Sequence, residues 1–240
     1  MNHISTRDVE PTSWNTDQQA TNRSKSDAIR RSTNPDLNQA FSTNELLSAI
    51  SDTENTTPGP DNICYEMFKH MSIKSLDVVL QLFNKIWFTG KTPPFWLHST
   101  VVPIPKPNKP AHIPSSCSPL PLTSNVGKLF EKIIVCLLNW FLECHNVLHI
   151  SQYGFRQRRK TTDHLLRLHD TIHKSMASKH NVFTVFIDIG KAYHMVNKEI
   201  LLSKLLSYAI SGRMFHFIRS FPSNRTFHVR IGSTLSMTKA

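Results

Sequence analysis

The sequence predicts an α+β fold in which amphipathic helices accompany a few short strands. In two long segments, Ser72 to Phe88 and Ser124 to Cys144, apolar residues recur every three or four positions, as on the buried face of a helix. Two short runs, His98 to Ile104 and 182–187, are rich in β-branched and aromatic residues, which is typical of strands. No repeat of fixed period is visible, and this excludes solenoids and propellers.

The N-terminal part is predicted to be a disordered leader over residues 1 to about 40, because its few large apolar residues cannot offset the entropy of ordering. Order is expected to begin near Ser42, where a polar cap precedes a short helix containing Leu46, Leu47 and Ile50. The Thr57 to Asp61 segment, with its two prolines and one glycine, predicts a rigid turn after that helix.

The remaining elements follow from the same patterns. Prolines after the His98 strand exclude a helix from Pro105 to Pro110 and predict an extended loop. A basic loop containing Arg156 is expected before the next helix. The later predicted elements are a helix from Thr161 to about Ser178, a strand at 182–187, a short helix from Lys191 to Leu206, a helix from Gly212 to Phe221, and a strand pair at Phe227 to Ile231 and from Ser233 onward.

The charge balance favours a polyanionic partner such as nucleic acid or an acidic membrane surface. The chain has 28 Lys and Arg against 17 Asp and Glu, a net charge of +11. Its four cysteines form no CxxC pair and lack zinc-finger spacing, so reduced packing thiols are expected. No apolar run is long enough for a signal peptide or a membrane span. We therefore expect a soluble, intracellular protein, nuclear or cytoplasmic and not secreted.

Asp188 is the candidate functional residue that stands out from the residues alone. The preceding run, 182–187, predicts a central strand covered on both faces, so Asp188 would face a crevice at the carboxyl end of a strand, where ligands of layered α/β proteins bind. The alternative is that Asp188 caps the following helix. The residues alone do not decide between these two interpretations.

Several short segments, in order, resemble one family from about Phe41 to the last residue. The chain resembles the reverse transcriptase, or RNA-directed DNA polymerase, of a non-LTR retrotransposon of the jockey-like group. The resemblance implies a right-hand polymerase with fingers over about 41–180 and the start of a palm over about 181–240. The matching segments are Thr57-Pro58-Gly59-Pro60-Asp61 with Tyr65, Phe83 to Trp87 with Gly90, Pro93 and Trp96, Val102 to Pro107, Pro119 with Leu122-Thr123-Ser124, Lys128 to Glu131, Gln152 to Arg156, and Phe186 to Met195.

The resemblance implies a two-metal site that includes Asp188. By resemblance, Asp188 and the carbonyl of Ile189 would bind Mg²⁺, a hard cation that prefers oxygen ligands. The backbone amides of Gly190, Lys191, Ala192 and Tyr193 would line the incoming deoxynucleoside triphosphate. The Tyr193 ring would lie under the sugar, with ordinary core packing as the alternative.

The resemblance also implies contacts to an RNA template, a DNA primer and the nucleotide. Lys106 matches a fingers lysine near the incoming phosphates, with a solvated loop charge as the alternative. Arg156 and Arg159 would hold the template backbone, and such contacts supply affinity without sequence choice.

The sequence also departs from the family pattern. It stops at Ala240, before the Gly-Pro-Gln-Gly and paired-aspartate segments expected of the family, and His194 stands where an aspartate is usual. Ser118 stands where an arginine is expected, and Pro222 where an aliphatic residue is usual. His194 could ligate metal in principle, but surface or packing roles are commoner for a lone histidine. We therefore expect a truncated domain that is inactive alone. The alternatives are a non-catalytic nucleic-acid-binding remnant and an inert pseudogene product.

Overall fold

A computed structural model of the chain describes residues 35–110, 113–190 and 192–239, and for residues 35, 193 and 194 only the backbone. The seven α-helices of the described residues are α1 (Thr43–Ser51), α2 (Tyr65–Lys69), α3 (Ile73–Thr89), α4 (Asn125–Cys144), α5 (Thr161–Ala177), α6 (Lys198–Ser207) and α7 (Gly212–Ser220). The strands are β1 (His98–Pro105), β2 (Cys117–Leu122), β3 (Thr226–Ile231) and β4 (Thr234–Leu235). The mixed α and β content confirms the predicted fold class.

The chain divides into two compact units. Of the described residues, those up to Ile133 and those from Lys198 form one unit, and those within Ile134–Asn197 form the other. The sheet belongs to the first unit and has the strand order β2-β1-β3-β4. β1 pairs antiparallel with β2 and parallel with β3, and β3 pairs antiparallel with β4.

Most predicted helices of the first unit are confirmed, together with the reasons given for them. Ser42 and Glu45 form a capping box at the start of α1, in which each side chain bonds the other residue's backbone amide. Ser72 caps α3, and the predicted helix before Cys144 is α4. In α3, Leu76, Leu80, Phe83 and Trp87 are buried, as their spacing predicts.

Order begins earlier than predicted. A single 3₁₀ turn spans Pro35–Asn38, and Leu37 within it is only 1% exposed. The Trp87 indole donates a hydrogen bond of 2.9 Å to the Gln39 carbonyl. Residues 35–40 are therefore not part of a disordered leader, while the rest of that prediction, residues 1–34, lies outside the described residues.

Strand β2 was missed because Pro119 and Pro121 interrupt its sequence pattern. Both prolines pair with β1, opposite Pro103 and Val101. The missing amides do little harm there, because β2 is an edge strand of the sheet. The predicted strand at His98 and the predicted strand pair after Phe227 are confirmed as β1, β3 and β4.

The core of the first unit is an aromatic cluster centred on Phe130 of α4. The Phe130 ring is fully buried, and its centroid lies 5.3 to 5.9 Å from those of Phe41, Phe83, Trp96 and Phe217. Such edge-to-face and tilted contacts add to the stabilisation from burial alone. Phe130 thus joins segments from both ends of the unit's sequence.

Gly59 allows a close approach next to this core. A Cβ at Gly59 would lie 2.7 Å from the Ser124 amide nitrogen and would collide with the backbone of Thr123. A side chain at this position would therefore push the Thr57 to Asp61 turn away from the start of α4. The glycine is required by this contact between two backbones.

We expect Phe130→Ala to lower the free energy of unfolding by about 3–5 kcal/mol, as for other buried phenylalanines. The loss follows because four aromatic neighbours would face a cavity. Urea unfolding followed by tryptophan fluorescence measures it. Val78→Ala, at a 65% exposed position on α3, is the control, with an expected change of about 0.5 kcal/mol or less. Equal effects of the two substitutions would contradict the central position of Phe130.

Candidate metal and nucleic-acid-binding residues

The segment before Asp188 is not the predicted central strand. Residues 181–189 have no regular secondary structure, and Phe183, Phe186 and Ile187 are 92%, 84% and 85% exposed. A strand needs neighbours for its amides and carbonyls. Within the described residues, the sheet strands pair with one another and none pairs with this segment. The expectation of a strand covered on both faces is therefore wrong for this structure.

Asp188 and Ile189 lie in this exposed segment of the second unit. Gly190 follows in a turn, and a 3₁₀ turn covers Ala192–Met195. The predicted single helix from Lys191 to Leu206 is instead this turn followed by α6 from Lys198. Asp188 lies too far before either element to be its N-cap, so the capping interpretation finds no support.

Asp188 and the Ile189 carbonyl are donors of the type that a hard cation prefers, but two donors do not complete a metal site. A carboxylate and a backbone carbonyl are the oxygen ligands that Mg²⁺ prefers. Among the described residues, no group of three or more His, Cys, Asp and Glu is placed to hold a metal. Lys191 and the side chain of Tyr193 lie outside the described residues, so their predicted nucleotide contacts stay predictions.

Lys106 lies in the first unit, at the end of β1. Its amide donates to the Ser116 carbonyl at 2.9 Å and its ammonium to the Ser115 carbonyl at 3.2 Å. Both contacts cross to the chain that enters β2, so the side chain is folded back on its own hairpin. The alternative of a fully solvated loop charge does not describe this arrangement, and the phosphate role stays a prediction.

Arg156 lies in the second unit and is engaged within its own loop. Its Nε and Nη2 donate to the two carboxylate oxygens of Glu143 at 2.7 and 2.5 Å. Nη1 donates to the carbonyls of His149 and Gln152 at 2.9 and 3.3 Å. The hydrogen bond from Arg156 lowers the pKa of Glu143 below its ordinary value. The Arg156 side chain is 7% exposed, so it acts first as a structural residue.

Arg159 is partly engaged in the same loop. Its Nη1 donates to the Ile150 carbonyl at 2.7 Å, and its guanidinium carbon lies 5.3 Å from the centroid of the Tyr153 ring. Phe155 and Arg158, to which the sequence pattern assigns no role, are exposed. The basic sequence pattern predicts the loop, but it does not show that Arg156 and Arg159 are bonded within the structure whereas Arg158 faces solvent.

The first unit contains a polar cluster that the sequence analysis also missed. Burial raises the pKa of Glu131, although Arg225, 3.3 Å away, acts in the opposite direction. Burial lowers the pKa of Lys128, and burial together with Glu131 raises that of Tyr65. Glu131 and Arg225 line an open cavity of about 570 Å³ together with Trp96, Phe130, Phe217 and Phe221.

Comparison with known proteins decides the family. Residues 104–238, more than half of the chain, match the family described as reverse transcriptase (RNA-dependent DNA polymerase). The chain belongs to the reverse transcriptase family. Members of this family bind a nucleic-acid template, a primer and nucleotides, and they use divalent metal ions. Among the described residues of this reverse transcriptase chain, no helix is both long and apolar enough to cross a membrane.

Individual relatives confirm the predicted resemblance to the jockey group. The chain is 28% identical over 196 residues to a probable RNA-directed DNA polymerase from transposon BS of Drosophila melanogaster, covering 81% of this chain and 22% of the relative. It is 27% identical over 185 residues to the RNA-directed DNA polymerase from mobile element jockey of the same species, covering 76% of this chain and 20% of the relative. This reverse transcriptase chain therefore spans about a fifth of the length of these relatives.

The half-buried Glu131 predicts a pH dependence of stability. A carboxyl group whose pKa is raised in the folded state binds its proton more tightly there, so it stabilises the fold in acid and less as pH rises above its ordinary value of 4.5. We expect Glu131→Gln to flatten the decrease in unfolding free energy between about pH 4.5 and 7. Urea unfolding across this range measures the slope. The exposed-carboxylate control Glu54→Gln should retain the wild-type slope, and an unchanged slope in Glu131→Gln would contradict the assignment.

Proposed function

We propose that this chain forms part of an RNA-directed DNA polymerase of a jockey-like non-LTR retrotransposon, which extends a DNA primer on an RNA template. One observation carries the proposal. The family match over residues 104–238 includes every predicted site residue, from Lys106 to Tyr193. Because the relatives are about five times longer, the polymerase activity is proposed for the whole protein.

Asp188 and the Ile189 carbonyl are the proposed Mg²⁺ ligands within this chain. Bound there, the metal would stabilise charge on the attacking and leaving oxygens of nucleotidyl transfer. The chain's own contribution is to supply oxygen donors at an exposed position that a nucleic-acid end and a nucleotide can reach. The amides of Gly190 to Tyr193 and the ammonium of Lys106 are proposed to receive the phosphates.

A second candidate function is nucleic-acid binding without catalysis by this chain. Among the described residues, Asp188 belongs to no group of three or more potential metal ligands, and one carboxylate alone holds magnesium weakly. The basic loop of the second unit, residues 156–160, and the net charge of +11 need no metal to attract a phosphate backbone. The proposed division into fingers, about 41–180, and the start of a palm, about 181–240, is compatible with both functions.

We expect the chain to bind single-stranded RNA with a strong dependence on salt. Neutralising several phosphates releases counterions, so affinity should fall by about tenfold or more between 50 and 200 mM salt. Fluorescence anisotropy with a labelled 12-nucleotide RNA measures this. RNA binding that is absent, or that does not change with salt, would contradict both candidate functions.

We expect Asp188 to be the site where a divalent metal binds this chain. Mn²⁺, a paramagnetic probe for the Mg²⁺ site, should bind weakly and broaden the amide resonances of residues 187–190. Asp188→Asn should abolish this broadening, whereas Asp170→Asn, which removes an exposed carboxylate of α5, should leave it unchanged. Broadening that is equal in both variants would contradict the assignment of Asp188.

The same two variants separate polymerase activity from binding alone. Because a single carboxylate holds magnesium weakly, we expect no Mg²⁺-dependent primer extension by this chain. Extension that Asp188→Asn abolishes and Asp170→Asn preserves would show that the chain completes the metal site by itself. That result would exclude binding without catalysis.

A further inference from the structure

The loop after α4 presents a large aromatic side chain to solvent. Phe155 is 90% exposed and its backbone has φ of 59°. Three residues later Arg158 has φ of 58°. The left-handed region is costly for a bulky residue such as phenylalanine, and residues held there tend to cluster at functional sites. The positive φ angles of Phe155 and Arg158, within four positions, therefore indicate a structural constraint and a functional role.

The structural cause is the hydrogen bonding of Arg156. Four of its five N–H donors are used, two on Glu143 and two on the carbonyls of His149 and Gln152. A forked pair with a carboxylate fixes direction as well as distance. These bonds hold the Arg156 side chain from three sides, and Phe155, its immediate neighbour in sequence, lies at the surface beside this anchored residue.

The charges around Phe155 indicate what it could contact. Arg158 is exposed and, among the described residues, forms no hydrogen bond or ion pair. The acidic groups of this loop and of the start of α5 are already used: Glu143 pairs with Arg156, and Asp163 accepts from the Lys160 amide at 2.8 Å. An exposed aromatic ring three positions before an exposed guanidinium matches a single-stranded nucleic acid, whose unpaired bases stack and whose phosphates pair with cations.

We propose that Phe155 stacks on an unpaired base of the template strand while Arg158 contacts an adjacent phosphate, and that Arg156 is the positioning residue for both. This inference rests on the proposed function, since it assumes that the chain binds a template. It differs from the role expected of Arg156 by resemblance, because Arg156 here acts through Glu143 and the loop carbonyls and does not itself contact RNA.

The first experiment tests stacking with a fluorescein-labelled 12-nucleotide single-stranded RNA. We expect Phe155→Leu, which keeps an apolar side chain but removes the aromatic face, to weaken binding by about tenfold. Phe155→Tyr should retain the wild-type affinity, because the ring is kept. Phe95→Leu is the matched control, at a 59% exposed phenylalanine in the first unit, and should leave affinity unchanged. The same RNA in a duplex should bind Phe155→Leu and wild type equally, since its bases are not free to stack.

The second experiment separates a positioning role of Arg156 from direct phosphate contact. Glu143→Gln removes the carboxylate that holds Arg156. If Arg156 contacted phosphate itself, the variant would free a guanidinium and remove a negative charge, so RNA would bind more tightly. Under the proposal the loop loosens, so RNA binds several-fold more weakly and amide hydrogen exchange of residues 149–156 becomes faster.

The third experiment tests Arg158. Arg158→Gln should lower the slope of log affinity against log salt by about 0.7, the value for one phosphate contact on a single strand. Lys74→Gln, which removes one exposed positive charge from α3, should leave the slope unchanged. The Phe155 variants should also leave it unchanged, because stacking neutralises no phosphate.

Three results would overturn the proposal: wild-type affinity in Phe155→Leu, tighter RNA binding in Glu143→Gln, or an unchanged salt slope in Arg158→Gln. A Phe155→Leu variant that changes self-association in sedimentation but not RNA affinity would assign Phe155 to a protein contact instead. Failure of the proposed function is distinguishable, because the wild-type chain itself would then show no salt-dependent RNA binding. Circular dichroism melting of each variant shows whether its fold is kept.

Discussion

The first unit depends on the burial of Phe130. Its ring is in contact with Phe41, Phe83, Trp96 and Phe217, which come from the start of the unit, from α3, from the turn before β1 and from α7. No other described residue joins so many aromatic neighbours. The polar cluster of this unit lies next to Phe130. Glu131 follows Phe130 on α4, and both residues line the same cavity as Phe217 and Arg225.

Polar side chains of α4 bind three segments that lie outside the aromatic cluster. The Asn125 amide donates to the Ile63 carbonyl at 2.9 Å, and the Lys132 ammonium pairs with Asp52 at 2.9 Å. Arg225, just before β3, pairs with Glu131. Apolar packing sets how closely elements approach, and these directional contacts hold the segments at Asp52, Ile63 and Arg225 against the first part of α4. In the turn before α2, the buried Oδ2 of Asp61 has no hydrogen-bond partner among the described residues.

The sequence predicted those elements whose pattern agrees with their surroundings. α3 and α4 follow from apolar spacing, α1 from its capping box, and β1 from its β-branched run. β2 could not be predicted, because prolines are tolerated in a strand only at a sheet edge, and the sequence does not show that β2 lies there. The prediction of a strand before Asp188 was wrong, because a composition typical of strands does not supply a neighbouring strand to pair with the backbone of residues 182–187. For the candidate site, the resemblance supplied candidate residues that stay predictions, and the different environments of Arg156, Arg158 and Arg159 depend on contacts with Glu143 and the loop carbonyls, which no local pattern shows.

Phe155 and Asp188 are both exposed, but for different physical reasons. Phe155 adjoins Arg156, whose hydrogen bonds are all made within α4 and the following loop, so the surroundings of Phe155 are already formed in this chain. Near Asp188, by contrast, Val185, Phe186 and Ile187 each forgo about 1.5–3 kcal/mol of burial. That run would be stabilised by any strand or helix layer that covered it, and its sequence suits such cover. Catalysis at Asp188 would therefore depend on tertiary assembly around an exposed segment, whereas the nucleic-acid binding proposed for the basic loop would depend only on contacts already formed. Binding requires less of the structure than catalysis does.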